Sequence, residues 1–213
     1  MKPTRRTTRR VAVAVAAVLC LAIWDPMRAA SQAVDRVTEA TQALEAGRVN
    51  DAIAMLEKAV AADPNDPAAL AWLGSAQVRK ARDASMFAAA GLVNKGFQTM
   101  DQAVERFPSA FIVYVVRGIT ATRVPDFFGK IPLAIGDLSA VVAMKEKDPA
   151  SVPDAAMPTV YLHLGRAYKK NDQTTEARAA WEKGKSVDPA APETQAIEEE
   201  LQRLEPKGKG ARA

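Results

Sequence analysis

The chain has 213 residues, 48% apolar and 25% charged, with 11 glycines and 13 prolines. These amounts suit one globular or solenoid domain and exclude a disordered chain. Six of its 29 basic residues and one of its 25 acidic ones precede residue 34, so the remainder carries 23 basic against 24 acidic side chains, and without a basic excess no nucleic-acid partner is expected.

Lys2 to Arg10 is a basic run, Val11 to Trp24 an unbroken apolar run of 14 residues, and small and polar residues follow through Ser31-Gln32-Ala33. This order is that of a secretory signal peptide over residues 1–33. The apolar run is short for a membrane span, which needs roughly 20 residues. Cleavage before Val34 fits the small residues Ser31 and Ala33, and sites near Ala29 or Ala30 are nearly as good. An uncleaved signal anchor competes, because the stretch from Trp24 to Ala33 is long; it would be the chain's one link to a membrane. Thr8-Arg9-Arg10-Val11 is a weak twin-arginine pattern. Cys20, the only cysteine, has Leu19 where a lipoprotein signal needs a small residue, so it reads as one more small apolar residue. The expected location is outside the cytoplasm of a bacterium, in the periplasm or on the periplasmic face of the inner membrane. A cysteine-free body suits an oxidising space.

From Val34 onward the pattern is helical, with abundant alanine and no bounded Val/Ile alternation to suggest a strand. A first helix over 34–46 ends at Gly47, placed as a left-handed stop. A second runs from Asn50 through Ala52, Leu56 and Ala59 to Asp63-Pro64. Pro67, suited to a first helical position, opens the next helix, in which Leu70, Leu73 and Gly74 recur. Gly74 leaves room for the following helix to come close. Phe107-Pro108 then arrives 34 residues after Gly74, where 24 would close a regular unit. The excess lies in residues 82–97, where Phe87, Ala90, Gly91 and Asn94 are spaced for one helix face. An elongated helix, broken near Gly91 or Gly96, is expected. Met86, Phe87 and Met100 belong to the core by the same spacing.

A third pair begins near Ser109 with Phe111, Tyr114, Arg117 and Gly118. The stretch from Arg123 to Pro132 holds two prolines and a glycine and forbids continuous helix. Helix resumes at Pro132 and runs through Ala134, Leu138 and Val141 to Asp148-Pro149. After a connector over 150–158 comes Tyr161-Leu162-His163-Leu164-Gly165-Arg166-Ala167-Tyr168, a polar break at Asn171-Asp172-Gln173, then Ala177, Trp181, Gly184 and Asp188-Pro189. Each half fits one helix face, and the short turn between them makes a hairpin. A last amphipathic helix over 193–205 turns Ile197, Leu201 and Leu204 inward and Glu198, Glu199, Glu200 and Arg203 outward. Residues 206–213 form a flexible tail.

The aromatic, Leu-Gly and Tyr of the first helix, the Ala, aromatic and small residue of the second, and the closing Asp-Pro resemble a tetratricopeptide repeat of 34 residues. The resemblance covers residues 34–205 as about four helix pairs, with insertions near 82–97 and 123–132. It implies an all-α, helical-hairpin solenoid closed by a C-terminal capping helix. The Phe-Phe-Gly-Lys loop and the long helix before it are similar to a group of small exported bacterial tetratricopeptide proteins, a likeness that carries no biochemical activity with it.

The resemblance also implies protein or peptide binding on a concave face lined by the first helices. Positions two, five, nine, twelve and thirteen of each repeat face that groove in the superfamily. In the second repeat these are Ala68, Ala71, Ser75, Val78 and Arg79. In the third they are Ile112, Val115, Ile119, Thr122 and Arg123, and in the fourth Thr159, Leu162, Arg166, Lys169 and Lys170. The expected groove is apolar in the middle, Leu162 included, and edged by Arg79, Arg123, Arg166, Lys169 and Lys170. That suits a peptide with acidic flanks or a free carboxylate. Cations at helix C-termini also complement the helix dipole, an equal reading for each residue taken singly. The Asn/Lys/Arg clamp of chaperone-binding relatives is not reproduced, since position nine holds Thr41, Ser75, Ile119 and Arg166.

Catalysis has little to stand on. His163 is the only histidine and reads as a packing residue, lacking the orienting partner and nucleophile a general base needs. Asp126 and Asp137 are single acids without a paired spacing. No ligand cluster suits a metal or haem, and no glycine loop suits a nucleotide, so neither cofactor nor metal is expected. Phe127 and Phe128 either plug the gap between the third pair's helices or anchor a partner. Two functions remain: an envelope adaptor that binds protein or peptide in its groove, and an accessory protein whose inserted helix and Phe-Phe-Gly loop close a cavity for an apolar small ligand, lined by Phe87, Phe97, Phe127 or Phe128. Self-association through the solenoid ends is a third, weaker reading.

Overall fold

The structure, a computed structural model, describes residues 36–205; the expected targeting segment and C-terminal tail lie outside the described residues. Helix α1 (36–45) is followed by α2 (Val49–Ala62), α3 (Pro67–Lys80), α4 (Met86–Arg106), α5 (Phe111–Arg123), α6 (Ile131–Lys147), α7 (Met157–Lys170), α8 (Thr174–Val187) and α9 (Glu193–Leu204). No strand occurs among the described residues. From α2 on each helix packs on the next, and α3, α5, α7 and α9 also touch in series. The fold is an all-α solenoid of stacked helical hairpins with α3, α5 and α7 as its inner layer.

The turns recur because their chemistry recurs. α1 stops at Gly47, whose φ is +77°. Arg48 N–H donates to the Ala43 carbonyl at 2.8 Å and Gly47 N–H to Leu44 at 3.1 Å, the two bonds of a Schellman stop. α7 ends in the same pair of bonds, Gln173 N–H on Tyr168 at 2.9 Å and Asp172 N–H on Lys169 at 3.2 Å. Here the left-handed residue is Asp172, with φ 59°. Asp63, Asp148 and Asp188 each close a second helix by accepting from the backbone N–H two residues on, at 2.9, 3.0 and 2.9 Å. The proline after each aspartate fixes φ for the turn, which is the physical content of the Asp-Pro period. Asp66 caps α3 by accepting from Ala68 and Ala69 N–H at 2.8 and 3.1 Å, with Pro67 in the first turn.

The first insertion becomes a 3₁₀ turn (Ala81–Asp83) and the 21-residue α4. This helix is continuous through Gly91 and Gly96, against the expected break. Gly91 faces open space, while Gly96 is a crossing point: a Cβ there would lie 2.5 Å from the Gly74 carbonyl oxygen, and one on Gly74 would lie 2.6 Å from that of Gly96. The two glycines let α3 and α4 meet backbone to backbone. That contact offsets the roughly 1 kcal/mol of helix propensity each glycine costs. The second insertion runs as extended Val124-Pro125, a 3₁₀ turn (Asp126–Phe128) and left-handed Gly129, before α6 starts at Ile131 with Pro132 in its first turn.

The core follows the stack. Ala40, Leu44, Leu56 and Leu73 join the first pair to α3; Phe97, Met100, Val113 and Val116 fill the middle; Leu138, Val141, Val160 and Leu164 join α6 to α7. At the C-terminal end Trp181 is fully buried, donates its Nε1–H to the Leu162 carbonyl at 3.0 Å, and lies over the space left by Gly165.

Candidate functional site: the concave groove

Side chains three and four residues apart on the inner helices converge on one groove of about 340 Å³. Ser75 and Arg79 of α3, Val115, Ile119 and Arg123 of α5, and Thr159 of α7 line it, and Thr41 of α1 lies at its end. Trp72 and His163 line it as well; neither is among the expected positions. Their signal is in the spacing, since Trp72 precedes Ser75 by three residues and His163 follows Thr159 by four. Ala71, at an expected position, is fully buried in the core instead.

The last repeat departs from the expected groove. Leu162 is 5% exposed and packs with Ala177, Trp181 and Ile197, so it is core rather than groove floor. Arg166 Nε donates to Glu200 at 2.9 Å and Lys169 Nζ to the same carboxylate at 3.1 Å. Thr159 donates to Glu193. α9 therefore covers the face of α7 that would have continued the groove. Both Thr159–Glu193 and Arg166–Glu200 span 34 positions, so α9 sits where the first helix of a further repeat would. Glu200, expected on the outer face, is buried. Burial works against its ionisation, but Arg166 and Lys169 outweigh that and hold its carboxyl below the usual range. Lys170 donates to the Thr122 carbonyl and to Asp126, each at 3.0 Å. Arg166, Lys169 and Lys170 still share a shallow depression with Thr122 and Glu200, but each has a partner.

Arg117 shows the same answered charge inside the stack. It grips buried Asp137 with two bonds of 2.8 and 2.7 Å and reaches Asp101 at 2.7 Å, joining α4, α5 and α6. Asp137 is thus a structural acid. Burial pushes its carboxyl up against the opposing pull of Arg117.

Two models of the tetratricopeptide repeat match the chain, at residues 43–85 and 158–190. The first spans α2 and α3 and ends where the first insertion begins; the second spans α7 and α8. The chain carries tetratricopeptide repeats at both of these stretches. Among solved structures, a thermophilic tetratricopeptide protein of Thermus thermophilus shares 17% identity, with 81% of this chain and 100% of that chain covered and a TM-score of 0.50. A mutant of MamA shares 22%, with 84% and 90% covered and the same TM-score of 0.50. At these identities the likeness is one of fold. No curated protein matches in sequence.

The groove of this tetratricopeptide protein is unevenly charged. Arg79 and Arg123, with Arg82 of the 3₁₀ turn, make no hydrogen bond or ion pair among the described residues. Arg123 keeps an exposed side chain, yet neighbouring protein atoms strip part of its water. That partial burial, with repulsion from Arg79, Arg82 and Arg166, puts its pKa below the usual arginine value. His163 is 6% exposed, with Nδ1 3.3 Å from the Thr122 hydroxyl. Burial, with Arg123 and Arg166 adding repulsion, pushes it down to about 3, so it is neutral at physiological pH.

The aromatic residues of the insertions separate. Phe128 is half-buried against the core, whereas Phe127, 4.5 Å away ring to ring, is 83% exposed. Phe128 is the plug and Phe127 the free ring. Phe87 is 94% exposed, not core, because α4 crosses α3 on its Val93, Gly96, Phe97 and Met100 face and leaves its first turn beyond the contact. Phe97, 2% exposed under the Lys130 ammonium, belongs to the core.

Proposed function

We propose that the chain is a non-enzymatic adaptor of the bacterial cell envelope that binds a protein or peptide in its concave groove. Tetratricopeptide repeats generally act as protein-interaction scaffolds. The observation that carries the reading here is convergence: residues from three inner helices line one continuous groove with Val115 and Ile119 as apolar lining and Arg79, Arg123 and, from α1, Glu45 as charged lining. Such a trough offers an extended or helical segment both apolar and charged contacts. The envelope location rests on the basic run and 14-residue apolar run ahead of Val34. The apolar-ligand alternative loses support, since the exposed rings of Phe87 and Phe127 and the core-bound ring of Phe97 do not enclose a cavity.

The test places a photo-crosslinking amino acid at Ile119, in the groove, or at Lys58, on an exposed face of α2, in the full-length chain expressed in a bacterium. The expected result is a discrete adduct from Ile119 that Lys58 does not give, found in the periplasmic or membrane fraction. Equal labelling from both positions would refute the groove, and a cytoplasmic adduct would refute the location.

A further inference from the structure

The two insertions that interrupt the repeats meet at one place. Arg82 comes from the first and Val124-Pro125 from the second, directly after Arg123. Together with Ser75, Val78, Arg79 and Thr120 they line a pocket of about 210 Å³. Its residues Ser75, Arg79, Thr120 and Arg123 line the groove too, so the pocket opens from the groove as a side chamber. It has room for one or two side chains, not for a length of peptide. Three of its residues are arginines and none is acidic.

The disposition of these arginines is not that of an ordinary solvated helix end. Nearby Arg166, Lys169 and Lys170 each hold a carboxylate. Arg79, Arg82 and Arg123 hold none among the described residues, although Arg79 and Arg82 stand close enough to Arg123 to repel it. One helix dipole at the end of α3 or α5 favours a cation in the last turn, but it does not favour three aimed at a shared space. Thr120 has one hydroxyl proton for the Val116 carbonyl at 2.7 Å and Ser75 Oγ at 2.9 Å, so the two hydroxyls at the pocket are already paired. Val78, Val124 and Pro125 form an apolar wall. Guanidinium forks beside an apolar wall suit planar carboxylates, more than one of them for three cations.

We propose that this chamber is a carboxylate pocket that receives two adjacent acidic side chains of a peptide lying in the groove, held by Arg79, Arg82 and Arg123. The proposal rests on the groove-binding reading and names the chemistry of its ligand. More than one negative charge is needed to answer three cations, and the chamber's continuity with the groove favours side chains of a bound peptide over a free ion. Both insertions serve it, which gives the departures from the regular repeat a common purpose.

The test is calorimetric titration of the full-length protein with four probes. They are a capped hexapeptide with two adjacent glutamates, the same peptide with glutamines, the glutamine peptide with a free C-terminal carboxylate, and inorganic phosphate. The glutamate peptide should bind at least about tenfold tighter than the capped glutamine peptide, as expected for charge-assisted hydrogen bonds. Arg82→Gln and Arg123→Gln should each abolish that advantage with unchanged circular dichroism. Arg82 lines the chamber and not the larger groove, so Arg82→Gln separates the two. Equal affinity for the capped peptides, no binding of either, or an advantage that survives both substitutions overturns the proposal. So does phosphate or the free-carboxylate peptide binding as tightly as the glutamate peptide, which would make the chamber a phosphate or chain-end site. A crosslink at Ile119 without a glutamate advantage would leave the groove standing and remove the pocket.

Discussion

Asp172 holds a backbone conformation that costs an L-residue about 1–2 kcal/mol, and its counterpart in the first repeat is Gly47. Asp172→Gly removes that strain but gives the unfolded chain more freedom, worth about 0.5–1 kcal/mol. The expected net gain is about 0.5–1 kcal/mol, a rise of about 1–4 °C in Tm for a chain of this size. A lower Tm would mean that the Asp172 carboxylate at the entry to α8 contributes more than its strain costs. His163 makes a pH prediction. Its folded pKa of about 3 lies below the ordinary value of 6.5, so between the two the unfolded state binds the extra proton. Stability should therefore fall as pH drops below 6.5, by on the order of 1 kcal/mol per pH unit. Carboxylates add little until about pH 5. Denaturant titrations from pH 7 to pH 5 check this, and His163→Gln should flatten the slope whatever it does to absolute stability. An unchanged slope would show that His163 takes up its proton in the folded state.

At the scale of elements, α9 is the piece whose role the packing decides. It buries Ile197 against Leu162 and Trp181 and sets Glu200 against Arg166 and Lys169. Ile197→Ala should cost about 2–4 kcal/mol. Because a solenoid is stabilised by neighbours, hydrogen exchange should rise in α7, α8 and α9 and stay near wild type in α2 and α3. Uniform acceleration would mean that the stack unfolds as one unit. The repeats were legible in sequence because they rest on local chemistry: the Asp-Pro turns, the left-handed stop at Gly47, and helix-period stripes such as Ala177, Trp181 and Gly184. The destination of Phe87 was not, because its stripe on α4 is real but the crossing at Gly74 and Gly96 decides which turns of that helix are covered. Gly96 likewise looks like a helix break in sequence and becomes a contact once α3 lies against it.

Over the whole molecule the charges nearly balance, 23 basic against 24 acidic beyond residue 33, yet they are not evenly paired. Which cations find acids was hidden in the sequence because the pairs lie far apart along it: Arg166 and Glu200 by 34 positions, Lys170 and Asp126 by 44. The repeat positions put Arg79 and Arg123 on one groove edge, but Arg82 stayed hidden, since it joins them only through the 3₁₀ turn after α3. The imbalance has a consequence for stability that is independent of any ligand. Arg123 gains from the dipole of α5 but faces Arg79, Arg82 and Arg166, and neighbouring atoms take part of its water. The repulsions should at least cancel the dipole, since exposed charges contribute only about 0–1 kcal/mol in either sign. Arg123→Gln should then leave Tm unchanged or raise it by about 1–3 °C at low salt. Wild-type Tm should climb as salt screens the cluster over a Debye length of about 10 Å at 0.1 M, and the variant should climb less. A loss of several degrees in Arg123→Gln, independent of salt, would instead make Arg123 a packing residue whose aliphatic stem holds the end of α5, and the cluster would carry no repulsion for an anion to relieve.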